Sequence, residues 1–169
     1  MGAGYHGGFG ATNGSAYKKA FSISSTNSSN NISISKKDII GALTGVTEMS
    51  TQIAKYIAQK KIGVNILGDS LFESMIDKDD GKRPNDVVGF QRGNQIYVRR
   101  SAVNGFGIFV HEGTHAYEYR NQISEKEISS YKGELRAYIN EHDYQVKKGE
   151  HVEFKNHDEI RVHIKLYYK

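Results

Sequence analysis

The chain contains no cysteine. This absence excludes a thiolate metal site and a cysteine nucleophile, and it fits a protein that is indifferent to the redox state of its compartment. The single proline, Pro84, lies in the polar segment 77–85. No apolar run is long enough to cross a membrane, and residues 1–14 lack the apolar core of a signal peptide. We therefore expect a soluble protein without a membrane segment.

The composition is that of a globular domain, with 37% hydrophobic and 25% charged residues among 169. The net charge of +4 comes from scattered lysines and arginines, a distribution typical of a solvated surface, so we expect no nucleic-acid partner. Residues 1–35 are rich in glycine, serine and asparagine and bury too little apolar surface to offset the entropy of ordering. The sequence therefore predicts a flexible leader, 1–35, and one folded domain, 36–169.

The strongest motif is His111-Glu112-Gly113-Thr114-His115, which has the form H-E-x-x-H. The apolar residues around it predict a buried helix. In a helix His111 and His115 are four residues apart, so their imidazoles lie on one face and can share a Zn²⁺ ion. Glu112 lies one step round the helix, where its carboxylate can take a proton from a zinc-bound water. The motif therefore predicts a catalytic zinc site with Glu112 as general base.

A catalytic zinc usually has three protein ligands, so a third ligand is expected downstream. Residues 130–144 have a helical pattern, and the 18 residues between His115 and Glu134 allow a loop and a returning antiparallel helix. Several other candidates follow the motif, namely Glu118, Glu125, Glu127, Glu141 and His142. We favour Glu134, because the small Ala137 after it lets two helices approach. Glu141, two turns further along the same face, remains either an alternative third ligand or a hydrogen-bond partner of a ligand histidine.

Residues 105–146 resemble the gluzincin branch of the zincin metallopeptidases, in which H-E-x-x-H is completed by a glutamate about twenty residues later. The resemblance implies an α+β fold with a small mixed sheet, an active-site helix and a second, antiparallel helix that carries a ligand. It implies one Zn²⁺ ion held by His111, His115 and Glu134, with Glu112 as general base. The implied activity is that of a zinc-dependent endopeptidase acting on a protein or peptide.

The same resemblance suggests how substrate binds. In zincins the strand just ahead of the active-site helix borders the cleft, and extended substrate adds to it by backbone hydrogen bonds. The residues in that place are Gln95, Ile96, Tyr97, Val98 and Arg99. A His or Tyr often donates a hydrogen bond to the oxyanion of the intermediate. Tyr138, on the same helix face as Glu134, is our first candidate. The alternatives are His151, His157 and His163.

The remaining segments predict a scaffold around this site. Residues 35–59 have a helical pattern with Ser35 as N-cap, and two glycines, Gly41 and Gly45, weaken it or divide it in two. Segments 61–66 and 70–76 predict short strands, and segments 86–91 and 95–99 predict a hairpin. The acidic segment 77–85 predicts a solvated loop, because its spacing does not match a calcium-binding loop. Residues 160–168 predict a terminal strand or a short helix.

Residues 6–14, in the leader, look like the junction segment ahead of C-terminal toxin domains in bacterial polymorphic toxins. This second resemblance implies a toxin domain with a cognate immunity protein as partner. It also implies secretion or delivery into a target cell by a route without a signal peptide, or as part of a larger secreted chain. Two other functions fit the same motif: a zinc hydrolase of a non-peptide amide or ester, and a binding module that keeps the fold without catalysis.

Overall fold

The computed structural model describes residues 5–7, 33–76 and 87–167, with the backbone alone at 5–7 and 167. The strands in this part of the chain are Tyr5–Gly7 (β1), Gly63–Leu67 (β2), Val87–Arg92 (β3) and Gln95–Arg99 (β4). The helices are Lys36–Leu43 (α1), Glu48–Ala58 (α2), Asp69–Ser74 (α3), Gly107–Arg120 (α4), Glu125–Ile128 (α5), Tyr131–Lys148 (α6) and His157–Tyr167 (α7). The predicted α+β class with a small mixed sheet is therefore confirmed, and the likeness to zincins stays a prediction.

Helix α4 lies at the centre of the fold. Ten of its fourteen residues are buried, because β3 and β4 contact one side of the helix while α2 and α6 contact other sides. A helix covered in this way has no polar face. Its Phe109 and Val110 join the main hydrophobic core with Ile53 of α2 and with Ile96 and Val98 of β4. The H-E-x-x-H motif therefore lies in the interior of the domain, as the sequence predicts.

The sheet has the strand order β1-β3-β4-β2. β3 is antiparallel to both of its neighbours, and β2 is parallel to β4. The predicted hairpin is confirmed: a two-residue turn joins β3 to β4, and its Gly93 has φ +58°, a left-handed conformation that favours glycine. Ile96 and Val98 face α4, whereas Tyr97 stacks on Phe90 of β3 on the opposite face, which α3 covers.

Residues 35–59, predicted to form one helix or two, form two helices. Ser35 starts α1 with a capping box, in which its backbone N–H donates to Asp38 at 2.8 Å. The chain turns at Gly45, where φ is +78°. Thr47 then caps α2 by accepting from the backbone N–H of Ser50. The turn lets α2 pack against α4 while α1 closes the core beside it.

The prediction of a strand at 70–76 is wrong, because most of this segment forms the helix α3. Phe72 and Ile76 are four residues apart, a helical spacing, and both are buried in the cluster under β3. Short apolar runs do not distinguish a helix from a strand by pattern alone, so the contact with Phe90 decides the conformation. The acidic segment 77–85, with its predicted solvated loop, lies outside the described residues.

Both ends of the chain add to the fold. Within the predicted leader, Tyr5–Gly7 pair with β3 as an edge strand, and residues 1–4 and 8–32 lie outside the described part. The terminal segment is a helix, α7, which is one of the two predicted alternatives. Its Ile160 and Ile164 pack against Tyr138 of α6. Among the described residues, no helix is long and apolar enough to span a membrane.

Glu150, just beyond α6, caps the start of α4. Its carboxylate accepts from the backbone N–H of Phe106 at 3.0 Å and from that of Gly107 at 3.1 Å, where α4 has no side-chain cap of its own. We expect Glu150→Ala to lower the free energy of unfolding by about 1–2 kcal/mol, measured by urea denaturation, because it removes both acceptors. Lys147→Ala, at an exposed position nearby, is the control. Equal stability of the two variants would contradict the cap.

Candidate metal centre

The residues of the H-E-x-x-H motif are almost fully buried in α4. His115 and Glu112 are 0% exposed and His111 is 2% exposed. The two imidazole rings are 5.2 Å apart, one helical turn from each other, as the spacing predicts. Gly113 between them brings α2 close, since a Cβ there would lie 2.7 Å from a methyl group of the buried Ile53. Burial of two imidazoles and a carboxylate is costly unless they bind a partner.

Helix α6 runs antiparallel to α4 and brings Glu134 to the two histidines. His111 near the start of α4 contacts Glu141 of α6, whereas Glu118, two turns later on α4, contacts the earlier Arg136 of α6. The Glu134 carboxylate is 1% exposed and lies 3.7 Å from Nε2 of His111 and 3.9 Å from Nε2 of His115. The predicted convergence of the three side chains is present.

Three potential ligand atoms lie close to the spacing that a tetrahedral ion requires. Two atoms that each lie about 2.1 Å from a tetrahedral ion are about 3.4 Å apart. Here one ligand atom from each of the three side chains lies within 4.8 Å of the others. Closing around Zn²⁺ therefore needs each pair of atoms to approach by at most about 1.4 Å. Two neutral imidazoles and one carboxylate form a ligand set that catalytic zinc sites use, so these residues fit the ion.

Glu141 is a hydrogen-bond partner of His111, one of the candidate ligands, and this contact fits one of its two predicted roles. Its Oε2 lies 2.9 Å from Nδ1 of His111, an arrangement that orients the ring and leaves Nε2 facing Glu134. Burial lowers the pKa of His111, but the hydrogen bonds to Glu134 and Glu141 and the charge of Glu112 outweigh it and raise the pKa to about 10. The surrounding carboxylates therefore create a negative potential that favours a cation.

We expect Glu141→Gln to weaken zinc binding about tenfold and Glu141→Ala up to a hundredfold, because a neutral or missing acceptor makes His111 a poorer ligand. The measurement is a titration of the zinc-free protein against a competing zinc indicator. Glu153→Gln is the matched control, since Glu153 borders the same small cavity as Glu141. If the Glu141 and Glu153 variants bind zinc equally well, the hydrogen bond has no effect on the site.

The other acidic candidates for the third ligand are placed elsewhere. Glu118 and Glu127 both bind the guanidinium of Arg136, with Nη2 of Arg136 3.1 Å from Glu118. This ion-pair cluster joins α4, α5 and α6 about one turn from the candidate ligands. Glu125 begins the short helix α5. Of the acidic candidates Glu134 faces both histidines, and Arg136 helps to hold the helix that carries it.

Glu112 lies beside Gly89 of β3. A Cβ at position 89 would lie 3.1 Å from Oε1 of Glu112 and 3.1 Å from a methyl group of Ile108, so the absence of a side chain makes room for the glutamate. Gly89 was not among the residues predicted from the sequence, although a glycine inside an apolar strand often marks close approach of another group. The strand next to the predicted base is therefore β3.

The candidates for oxyanion stabilisation are spread over the surroundings of the site. The ring of Tyr138 meets His111 edge-on at 4.6 Å, and the role of Tyr138 at the oxyanion stays a prediction. His163 lies behind it, 6.0 Å from the Tyr138 ring, and burial lowers the pKa of His163. His157 contacts His142 and Asp143 instead. His151 is exposed beyond α6.

The prediction that substrate adds to the strand Gln95–Arg99 is wrong. This strand, β4, is paired on both sides, with β3 and with β2, so it has no free edge. Its side chains also have other contacts: Ile96 and Val98 pack in the core, and Tyr97 stacks on the ring of Phe90. Arg99 binds Glu73 at 2.8 Å and Gln95 contacts Asn65. The parallel pairing of β2 was not predicted, and it is the reason for the error.

Comparisons of this chain with protein-family models, with curated proteins and with solved structures gave no match. The relation to zincins therefore stays a prediction from the motif and its spacing. What bears on function is the geometry of the site itself: three buried ligand-type side chains, a carboxylate beside them, and a histidine oriented by a further carboxylate.

Proposed function

We propose that this protein is a zinc-dependent endopeptidase. The observation that carries the proposal is the convergence of His111, His115 and Glu134 from two antiparallel helices, with Glu112 buried next to them. Three protein ligands leave a fourth position for solvent or substrate, which distinguishes a catalytic zinc site from a closed structural one. The neighbouring glutamate supplies the base that a hydrolytic site needs.

Different residues of this chain would carry out different steps of hydrolysis. When bound, Zn²⁺ supplies a Lewis acid that polarises the scissile carbonyl and increases the acidity of water. Glu112 accepts the proton of the attacking water and then passes it to the leaving amine. Glu141 holds the His111 ring in place through Nδ1. Tyr138, in contact with the same ring, is the proposed donor to the oxyanion.

We propose that peptide substrate adds to the outer edge of β3. This strand passes Glu112 at Gly89, and an extended chain paired there would lie beside the base. The segment Tyr5–Gly7 occupies this edge in the structure, antiparallel to β3 and with His6 opposite Gly89. The edge is thus able to bind an extended chain of antiparallel direction. Substrate has to displace β1 in order to use it.

Deletion of residues 1–8 is expected to lower KM for a peptide by about tenfold if β1 covers the edge in nine molecules out of ten. The value of kcat should not change, because no residue of the metal centre is removed. The measurement is steady-state hydrolysis of a fluorogenic peptide by the full chain and the shortened chain. A deletion of the same length within 9–32 is the control. An unchanged or raised KM would contradict competition for this edge.

Two other functions use the same apparatus. A hydrolase of non-peptide amides or esters would need the same ion and base, and a binding module would need neither. We expect the zinc-loaded protein to degrade casein and the chelated protein to lose this activity, with recovery when zinc is restored. Turnover of simple amides or esters without casein cleavage would favour the first alternative. No turnover of any of them by the zinc-loaded protein would overturn the proposal of an enzyme.

The biological setting that we propose is that of a bacterial toxin domain with a cognate immunity protein. The proposal rests on the resemblance of residues 6–14 to a junction segment, and most of that segment lies outside the described residues. Expression of residues 36–169 in the bacterial cytoplasm should arrest growth, and the Glu112→Gln form should not. Equal growth of the two strains at equal protein levels would count against a toxic peptidase.

A further inference from the structure

A second group of metal-ligating side chains lies away from the proposed centre. It consists of His142 and Asp143 on α6 and His157, the first residue of α7. Oδ1 of Asp143 lies 2.6 Å from Nε2 of His157 and 3.4 Å from Nδ1 of His142. The two imidazole rings are 5.3 Å apart. One potential ligand atom from each residue lies within 4.8 Å of the others.

We propose that His142, Asp143 and His157 form a second site for a divalent cation, with Zn²⁺ as the ion that fits best. Two imidazoles and one carboxylate are ligands that zinc accepts, whereas calcium and magnesium prefer oxygen ligands. The separation of 3.4 Å between His142 and Asp143 equals the edge of a tetrahedral zinc site. His157 has to move away from Asp143 by less than about 1 Å, to the same edge length.

The cluster is partly open to solvent. The side chain of His142 is 12% exposed, whereas those of Asp143 and His157 are 45% and 37% exposed. The ion would therefore be open to solvent on one side, with water in the remaining position, and would exchange more readily than an ion in the buried centre.

The charges at this place also matter, because His157 begins a helix. The positive end of the α7 dipole disfavours a cation nearby. Asp143 offsets this effect directly, and Asp158 and Glu159 in the first turn of α7 add negative charge. Asp143 contacts both imidazoles, so a divalent ion between them would gain directly from its charge. The carboxylates of Asp158 and Glu159 bind Arg161 and the backbone N–H of Lys155, so their charges act on the cluster at longer range.

The consequence of an ion at this site would be structural. α7 contacts α6 mainly through Ile160 and Ile164, which pack around Tyr138. A cation held by His157 from α7 and by His142 and Asp143 from α6 would fasten the start of α7 to α6. The site shares no residue with His111, His115 or Glu134, so it does not depend on the proposed peptidase activity.

The test is the number of zinc ions bound by the full-length, untagged chain, measured by equilibrium dialysis and elemental analysis over a range of free zinc. We expect two ions for the wild-type chain and one for His157→Ala and for Asp143→Asn. Asp158→Asn, which removes an exposed carboxylate of the same helix start, should keep two. Circular dichroism checks that each variant folds, and the half-exposed positions favour folding.

Glu134→Ala separates this proposal from the first one. It should keep one ion, and in that background added zinc should still raise the melting temperature unless His157→Ala is also present. The proposal is overturned if the wild-type chain binds one ion and His157→Ala leaves that number unchanged, or if both cluster variants keep two ions. If Glu134→Ala changes nothing while His157→Ala removes an ion, the second site stands and the proposed catalytic centre fails.

Discussion

Glu112→Gln is expected to lower the rate of peptide hydrolysis by about a thousandfold while the zinc content stays at the wild-type level. Glutamine has the same shape as glutamate and fits the space beside Gly89, but it does not accept the proton of the attacking water. General acid–base catalysis contributes about 10²- to 10⁴-fold in enzymes, so a loss of this size is expected from a missing base. The measurements are kcat/KM for a peptide and elemental analysis of the same sample.

Glu125→Gln is the matched control, because it makes the same chemical change at an exposed position of α5. It should leave both kcat/KM and zinc content unchanged. A Glu112→Gln form with wild-type activity would exclude Glu112 as the base. A form that loses its zinc would instead place Glu112 among the ligands, against its position beside β3.

Glu134→Ala is expected to weaken zinc binding more than a hundredfold, which corresponds to more than about 2.7 kcal/mol. The variant removes the carboxylate that faces both Nε2 atoms, at 3.7 Å and 3.9 Å. Two imidazoles alone leave the ion with too few protein ligands for a stable catalytic site. Hydrolysis should be lost at zinc concentrations that saturate the wild-type protein. Titration in a chain that also carries His157→Ala limits the measurement to this centre.

Comparison with Glu141→Ala then identifies the third ligand. Both glutamates lie on α6 and contact the site, but Glu134 faces the ligand atoms whereas Glu141 binds Nδ1 on the other side of His111. Removal of a ligand should therefore lower the zinc affinity more than removal of a hydrogen-bond partner of a ligand. If Glu141→Ala weakened zinc binding more than Glu134→Ala, the order of the two roles would be reversed.

Local features of this fold were predictable because neighbouring residues determine them. The Ser35 capping box and the turn at Gly93 follow from short-range hydrogen bonds and from the conformational freedom of glycine. The i, i+4 spacing of His111 and His115 places both rings on one face of any helix. The positions of these groups relative to each other therefore needed no knowledge of the rest of the chain.

The wrong predictions concern features that depend on contacts between residues distant in the sequence. The segment at 70–76 has apolar residues that suit a strand or a helix, and packing of Phe72 on Phe90 selects the helix. The prediction for β4 failed because strand order depends on which segments pair across the sheet, and β2 pairs in parallel with β4 after a connection of 27 residues, 68–94. No local pattern reports such a pairing.

The sequence by itself determined the helix with two imidazoles and a carboxylate, since periodicity and side-chain chemistry are local properties. Only the tertiary structure distinguished Glu134 from Glu141, because the crossing of α4 and α6 sets which carboxylate reaches Nε2 and which reaches Nδ1. The same holds for Gly89 beside Glu112 and for the meeting of His157 with Asp143. Such contacts join residues far apart in the chain, and close packing of the core brings them together.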